Sequence, residues 1–367
     1  MYTVNYTKKE SDIMQVIQAS IEYYDDPNPM IKLERCARVC YKSEDKITES
    51  SADRLIRNIL IKRGHESTLE HYRICVEIDR NDAKYFLVYP HIKLYYGNDN
   101  STCTVSGNIR AWRDFCKVLR LVSVGTSMVA KLYQWCPALF EDLLEYFHIT
   151  PETAKLSRST FIRNIRQDLD YHTYVITTDI GVGREFCRHR SQSFSQESTR
   201  YCNYGNDIKF VDPFPFTWSN KAIDGGCSEL EDLPNAWNAK FILEDTEENK
   251  KIRLHKHAVW VYAMKAAEVA YCNMLRLGCS PQEARSVLPL STASTLVMSG
   301  TSRMWQNFLR LRYHETAHPQ AWWMAKLIKD DLEERGIWTG WSENMHYNVE
   351  DNSTILINMI TELPSLS

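Results

Sequence analysis

The sequence predicts an α/β protein of the α+β type, on three observations. Apolar strand patterns occur at Ile74, Val76 and Ile78 and again at Tyr174-Val175-Ile176-Thr177-Thr178. Long stretches of helical periodicity follow the second strand, at 252–277 and from Pro319 to Glu334 or Arg335. Helical periodicity also dominates the residues between the two strands, from about 80 to 170. At 367 residues the chain is long enough for one large domain with an insertion, or for two domains.

Charge and cysteine usage narrow the class. Lys plus Arg number 44 against 47 Asp plus Glu, so a net charge of −3 supplies no global attraction to nucleic acid or anionic membrane. Any basic site must be local. The 11 cysteines are scattered with no Cys-x-x-Cys pair, and Met1-Tyr2-Thr3-Val4 opens no signal-like apolar run. Both features point to a reduced, cytoplasmic chain whose cysteines pack as small apolar residues. No stretch approaches the ~20 apolar residues needed to cross a bilayer.

In chain order, Ile31 to Cys40 reads as a helix with Leu33, Cys36, Ala37 and Cys40 on one face and its arginines elsewhere. Leu55, Ile56, Ile59 and Leu60 predict a second helix from a Ser50 or Ser51 cap to about Lys62, stopped by Gly64. Gly64 to His71 then gathers two histidines and two glutamates ahead of the first strand. No spacing here places ligands on one helical face, and no further cluster completes four, so no metal site is expected. Ile109, Trp112, Phe115, Cys116 and Leu119 fit one helix, and Met128 to Phe147 another, kinked or split at Pro137.

Thr178 or Asp179 is placed to cap a helix running through Arg184 to Arg188, on which Arg184 and Arg188 would share a face. Asp212 to Lys251 holds prolines, Gly225-Gly226 and an acidic run, and reads as a loop. Val259, Ala263, Ala266, Ala267 and Ala270 lie on the long helix that Gly278 ends. Ser280-Pro281-Gln282-Glu283 has the form of a capping box opening a short helix that carries Arg285 and ends at Pro289. A Ser/Thr-rich turn precedes the helix of Arg303, Trp305, Asn307, Phe308, Leu309 and Arg312.

The chemistry concentrates in Arg188 to Tyr201, which carries three arginines, a histidine and four serines with no aliphatic residue to bury. Guanidinium groups stay charged and present five donors in a flat fork, suited to phosphates and planar carbonyl groups. The stretch therefore reads as an anion-handling active-site loop. The order Arg188-His189-Arg190, seven residues, Ser198, then Arg200-Tyr201 resembles the signature of flavin-dependent thymidylate synthases. Gly64-His65-Glu66-Ser67 followed by Glu70-His71, Glu283 to Pro289, and Arg303 to Arg312 resemble further motifs of the same family, in family order.

That resemblance implies a mixed sheet flanked by long helices in a homotetramer whose active sites are shared between subunits. It also implies a catalytic domain formed by 1–80 and 171–338, a mainly helical insertion at 81–170 and a tail at 339–367. The implied reaction is reductive methylation of dUMP to dTMP, with methylenetetrahydrofolate as carbon donor and FAD, reduced by NADPH, as hydride source. His65, Ser67 and Glu70 would contact FAD or the folate against it; Arg188, His189, Arg190, Ser195, Arg303 and Asn307 would hold the flavin. Glu185, Gln196, Glu197, Ser198, Thr199, Arg200 and Arg285 would seat dUMP, with the arginines on its phosphate. Arg312 would lie over the uracil and stabilise ring charge, and Ser198 is the second catalytic candidate, positioning dUMP since no base is placed for it.

Independently of the family, Arg303 and Arg312 are half a turn out of phase on an unbroken helix, so both cannot enter one pocket from one chain. Departures from the family pattern fall at Glu185, Ser195, Thr301, Thr316 and His318. A related pyrimidine-nucleotide hydroxymethylase or alkylase, or an inactive nucleotide-binding relative, is compatible with the same motifs. An RNA-binding patch is opposed by the acidic net charge and the lack of an aromatic-basic array.

Overall fold

A computed structural model describes residues 14–87, 89–96, 101–119, 123–157, 162–205, 208–213 and 247–338, with backbone alone at 123 and 247–256. Of the region read as a loop, 214–246 lies outside the described residues and 247–251 is helix instead, while the tail at 339–367 lies outside them as well.

The chain opens with strands β1 (Gln15–Ile17) and β2 (Ser20–Tyr23), helix α1 (Pro29–Tyr41), and α2 (Ser51–Leu55), which continues as a wider-wound turn over Ile56–Ile61. Gly64 ends this unit with φ +73°, a conformation that costs glycine little. The segment Glu66–His71 is a 3₁₀ helix leading into β3 (Arg73–Asp79). There follow β4 (Lys93–Tyr96), β5 (Thr102–Asn108), α3 (Ile109–Val118), α4 (Ser123–Trp135), α5 (Pro137–Tyr146), α6 (Pro151–Leu156) and β6 (Ile162–Gln167). The helical stretch is split at Pro137, which takes the first position of α5, where its missing N–H costs nothing.

The remaining elements are β7 (His172–Asp179), α7 (Ile180–Phe186), β8 (Ser193–Gln196), β9 (Lys209–Val211), α8 (Glu247–Arg276), α9 (Pro281–Ala284), β10 (Ala293–Gly300), α10 (Ser302–Arg312) and α11 (Pro319–Glu334).

Both pairing directions occur, distributed over three sheets. One antiparallel sheet runs β2-β7-β10-β8, a second β4-β5-β3-β6, and β1 pairs β9 in parallel. The first sheet packs Tyr174, Ile176, Leu296 and Met298 against Trp305, Phe308, Met324 and Ile328, all fully buried. The second packs Ile74, Val76, Ile78 and Val105 against α1 and the helices of 109–146, with Trp112, Phe115, Leu139 and Phe140 at 0% exposure. A third cluster joins Met264 and Tyr271 of α8 to Tyr204 and Phe210. Among the described residues no helix is long and apolar enough to cross a membrane.

Three local expectations are corrected. The Ser/Thr-rich stretch read as a turn leads into β10, interior to the first sheet; Ser299 is satisfied there by His71 at 2.7 Å and Thr173 at 2.8 Å, while the Thr292 hydroxyl just before the strand is buried without a partner among the described residues. The helix capped by Asp179, whose Oδ1 accepts from the Val182 amide at 2.7 Å, stops at Phe186 rather than reaching Arg188. Gly181 and Gly183 are poor helix formers, and the backbone tightens into turns through His189 N to Phe186 O at 3.0 Å. Arg184 and Arg188 therefore do not share a helical face. The arginine-rich stretch is likewise not all loop: its middle is β8, paired with β10 from Ser193 to Gln196. In α1, Arg38 is buried and pairs with Glu34 at 2.8 Å.

Candidate active site

The end of the first sheet holds a cavity of about 520 Å³ whose walls come from four stretches. Helix α7 supplies Ile180 and Arg184, and β8 with the turn after it supplies Gln196, Glu197 and Thr199. The capped segment from Gln282 to Leu290 supplies Arg285 and Ser286, and β10 supplies Ser294. The capping box at Ser280 is formed, with the Glu283 carboxylate accepting from the Ser280 amide at 2.8 Å, and this aims Arg285 at the cavity. Arg285 donates to the Thr199 hydroxyl at 3.3 Å. A side chain at Gly183 would place its Cβ 3.0 Å from Gln196 Nε2, so a larger residue here would displace the Gln196 amide.

Glu197 is the most constrained of these residues. It is 8% exposed, its Oε2 accepts from the Thr295 amide at 3.1 Å, and its carboxylate faces the buried Tyr204 phenol. Burial, followed by the Glu197 carboxylate, pushes the Tyr204 phenol well above its ordinary range. Arg184 has no partner among the described residues, so the cavity presents two cations and a fixed carboxylate acceptor to a ligand. Its volume lies in the range of small-molecule sites.

A second cluster lies outside the cavity lining. Arg312 donates from Nη1 to Glu185 Oε2 at 2.7 Å, from Nη2 to the Glu185 carbonyl at 2.8 Å and from Nε to His189 Nε2 at 2.9 Å. An accepting Nε2 requires a neutral ring. Burial first, and the Arg312 charge second, lower the His189 pKa to about 4. Its ring meets Phe308 edge-on at 5.0 Å, so His189 is a support beneath the turn rather than an exposed contact. Glu185 and Arg312, both expected at dUMP, thus satisfy each other within one chain.

The Gly64–His71 segment is brought against the same region. His65 is exposed, stacks on Tyr41 at 6.3 Å and bonds to its hydroxyl at 2.5 Å, while Tyr41 stands 6.0 Å from Tyr201. Ser67 is exposed. Glu70, expected to contact flavin or folate, pairs with Arg110 at 2.7 Å. Ser195, expected to hold flavin, is 4% exposed and bonds to His71 Nε2 at 2.8 Å. Burial lowers the His71 pKa to about 3, so this ring too is neutral.

The remaining candidates are spread more widely. Arg188 and Arg190 are exposed with no side-chain partner among the described residues. Arg200 is exposed over the Tyr201 ring at 5.4 Å and does not line the cavity. Ser198 accepts from the Arg200 amide at 3.3 Å and donates its own amide to Cys40 O at 3.0 Å, with no base beside its hydroxyl. Arg303 and Asn307 are exposed on α10, where Asn307 accepts from Arg310 at 3.1 Å. Desolvation, then the charges of Arg73 and Arg303, hold the Lys93 ammonium below its usual range. No group of three metal-ligating side chains occurs among the described residues.

Sequence reasoning missed Arg184, Ser294 and Tyr41 as site residues. Arg184 could have been found from its place in the first turns after a capped strand end; Ser294 and Tyr41 carry no local signal, because β10 and the end of α1 reach the site only through tertiary packing.

A sequence profile described as thymidylate synthase complementing protein matches residues 21–83 and 165–335, leaving 84–164 between the matched segments. The flavin-dependent thymidylate synthase of Aquifex aeolicus (strain VF5) is 22% identical over 320 residues, 83% of this chain and 94% of its own. That of Tropheryma whipplei (strain TW08/27) is 29% identical over 188 residues, 50% of this chain and 70% of its own. Among solved structures, the UMP/dUMP methylase PolB from Streptomyces cacaoi bound with 5-Br dUMP overlays with a TM-score of 0.36 at 17% identity, covering 88% of this chain and 93% of that one. Since the matched segments exceed half of the chain and include every stretch that lines the cavity as well as the His65 segment, the chain belongs to the thymidylate synthase complementing protein family, that of the flavin-dependent thymidylate synthases.

Proposed function

We propose that this chain is a cytoplasmic flavin-dependent thymidylate synthase that reductively methylates dUMP to dTMP with methylenetetrahydrofolate as carbon donor. The observation that carries the reading is the cavity, which gathers Arg184, Arg285, Gln196, Glu197 and Thr199 from separate stretches of the chain. Arg184 and Arg285 bind the phosphate by charge-assisted hydrogen bonds. Glu197, fixed by the Thr295 amide, offers its carboxylate to a donor on the nucleotide, and Gln196 orients the base beside it. Ser198 and Thr199 hold the turn under the nucleotide.

The exposed donor set of Arg188, Arg190, His65, Ser67, Arg303 and Asn307 fits an anionic dinucleotide such as FAD, which these residues would hold. When bound and reduced by NADPH, FAD supplies the hydride that completes the methyl group. His189, Ser195 and Glu70 serve that site from behind, through Arg312, His71 and Arg110. In one chain Arg312 and Arg303 stand apart from the cavity, which supports active sites completed by other subunits of a homotetramer. The exposed Val259 (41%) and Tyr262 (64%) of α8 support the same assembly. We read 81–170 as an insertion between the parts of the catalytic domain at 1–80 and 171–338.

The test is release of tritium from dUMP labelled at C5, with FAD, NADPH and methylenetetrahydrofolate, in the presence and absence of the protein. Protein-dependent release with dTMP as the product by mass is expected. A hydroxymethylated product, or none from protein that binds flavin, would overturn the assignment.

A further inference from the structure

Residues 84–164 fall outside the segments matched by the family, yet one helix from this region grips the segment that carries His65 and Ser67. Helix α3 starts where the Asn108 side chain accepts from the Ala111 amide at 2.8 Å, and its positions 110, 113 and 117 face the 3₁₀ helix Glu66–His71. Arg110 pairs with Glu70 at 2.7 Å. Arg113, 0% exposed, pairs with Glu66 at 3.2 Å and closes a fork on Asp142 of α5 at 2.7 and 2.8 Å. It also donates to the Leu139 carbonyl. Lys117 stands 4.0 Å from Glu66.

A fully buried guanidinium is costly to desolvate; both Nη atoms of Arg113 are bonded while its Nε is buried without a partner among the described residues, so the two Nη atoms tie Glu66 to α5. Spacings of three and four residues put these cations on one stripe of α3. His65 and Ser67 flank Glu66 in sequence and are exposed, so their placement follows from how Glu66 and Glu70 are held.

We infer that α3 is a positioning device for the flavin-facing segment: Arg110 and Arg113 hold Glu66 and Glu70 so that His65 and Ser67 meet the cofactor, and Glu70 acts through Arg110 instead of touching the ligand. The inference rests on the flavin reading of the site. It gives the inserted region a definite role and makes Arg110 and Arg113 positioning residues.

The test uses the full chain. Flavin affinity is read from the quenching of FAD fluorescence, dUMP affinity by calorimetry and thermal midpoint by scanning calorimetry. Arg110→Ala and Glu66→Gln should each weaken FAD about two- to fivefold, the range of a partly exposed ion pair, while dUMP affinity stays as in the parent. The exchange Glu70→Arg with Arg110→Glu should restore most of the FAD affinity lost in Arg110→Ala, because the pair is remade with its charges reversed. Failure of the exchange to restore binding, with the midpoint retained, would mean that Glu70 touches the cofactor itself and would overturn the inference. Unchanged FAD affinity in both single variants would overturn it as well. If the parent protein takes up no FAD, the flavin reading fails, an outcome distinct from the other two.

Discussion

Arg184 and Arg285 face the cavity with no carboxylate beside either among the described residues, whereas Arg113 and Arg312 are each closed onto carboxylates of their own chain. The same side chain does two jobs, and the difference lies in what neutralises it. An arginine whose two Nη atoms are taken by Asp142, Glu66 and Leu139, with its Nε buried, ties helices together and presents no donor to a ligand. An arginine that reaches only a threonine hydroxyl keeps most of its donors for an external anion. Cavity walls with uncompensated positive charge mark the nucleotide phosphate better than a count of arginines in the motif does.

The largest effect that could break this contrast is at a locked arginine. Arg113→Ala removes the partner of Asp142 and Glu66 and should lower the unfolding free energy in denaturant by about 3 kcal/mol, the lower end for a broken buried pair because Asp142 is 41% exposed. A midpoint like the parent's would mean that the cluster contributes nothing to the fold. Next come the open arginines: Arg184→Ala and Arg285→Ala should each weaken dUMP about 10- to 100-fold, the loss of a charged hydrogen bond, with little change in thermal midpoint. Calorimetric titration distinguishes these from a folding defect.

The neutral histidines sharpen the comparison through pH. His189 and His71 have folded pKa values lowered to about 4 and about 3, below the usual 6.5, so the unfolded chain binds more protons than the native one as pH falls below 6.5. Their contribution is full above pH 6.5 and is lost as pH falls toward those folded values. Between pH 6.5 and 5.5 each should cost about 1 kcal/mol, and His189→Gln should flatten its share of the slope in urea titrations. Because His189 accepts from Arg312, its protonation also breaks the second cluster.

Smaller effects follow at partly exposed groups. Glu185→Gln should cost about 0.5–1 kcal/mol, since the pair with Arg312 is 33% and 18% exposed. Smallest of all, Arg200→Ala should weaken dUMP no more than about fivefold, since Arg200 lies over Tyr201 outside the cavity lining. A loss as large as that of Arg285→Ala would return the phosphate to Arg200.

By itself the sequence determined the elements whose signals are local. The capped helices at 51–61 and 281–284, the long helix from 252 to its glycine stop, the break at Pro137 and the strand at 172–179 all follow from spacing and capping chemistry within a few residues, whereas the start of the long helix at 247 did not. The motifs around Arg188 and His65, and their membership of one family, were legible for the same reason: they are contiguous strings. Only the tertiary structure decided which of their side chains face a ligand. Ser195 and His189 sit in a string that reads as site, yet pairing of β8 with β10 and the contact with Phe308 turn them inward. Glu70 and Arg312 look free in sequence and are claimed by Arg110 and Glu185, partners 40 and 127 residues away. Ser294 reads as turn because its hydroxyl-rich neighbours carry no apolar alternation, and it becomes a cavity wall because strand pairing places it there, with Gln196 and Thr173 meeting the hydroxyls of Ser294 and Ser299. Local strings encode where the backbone turns and which charges exist; whether a charge is spent inside or kept for a ligand depends on what the fold places opposite it.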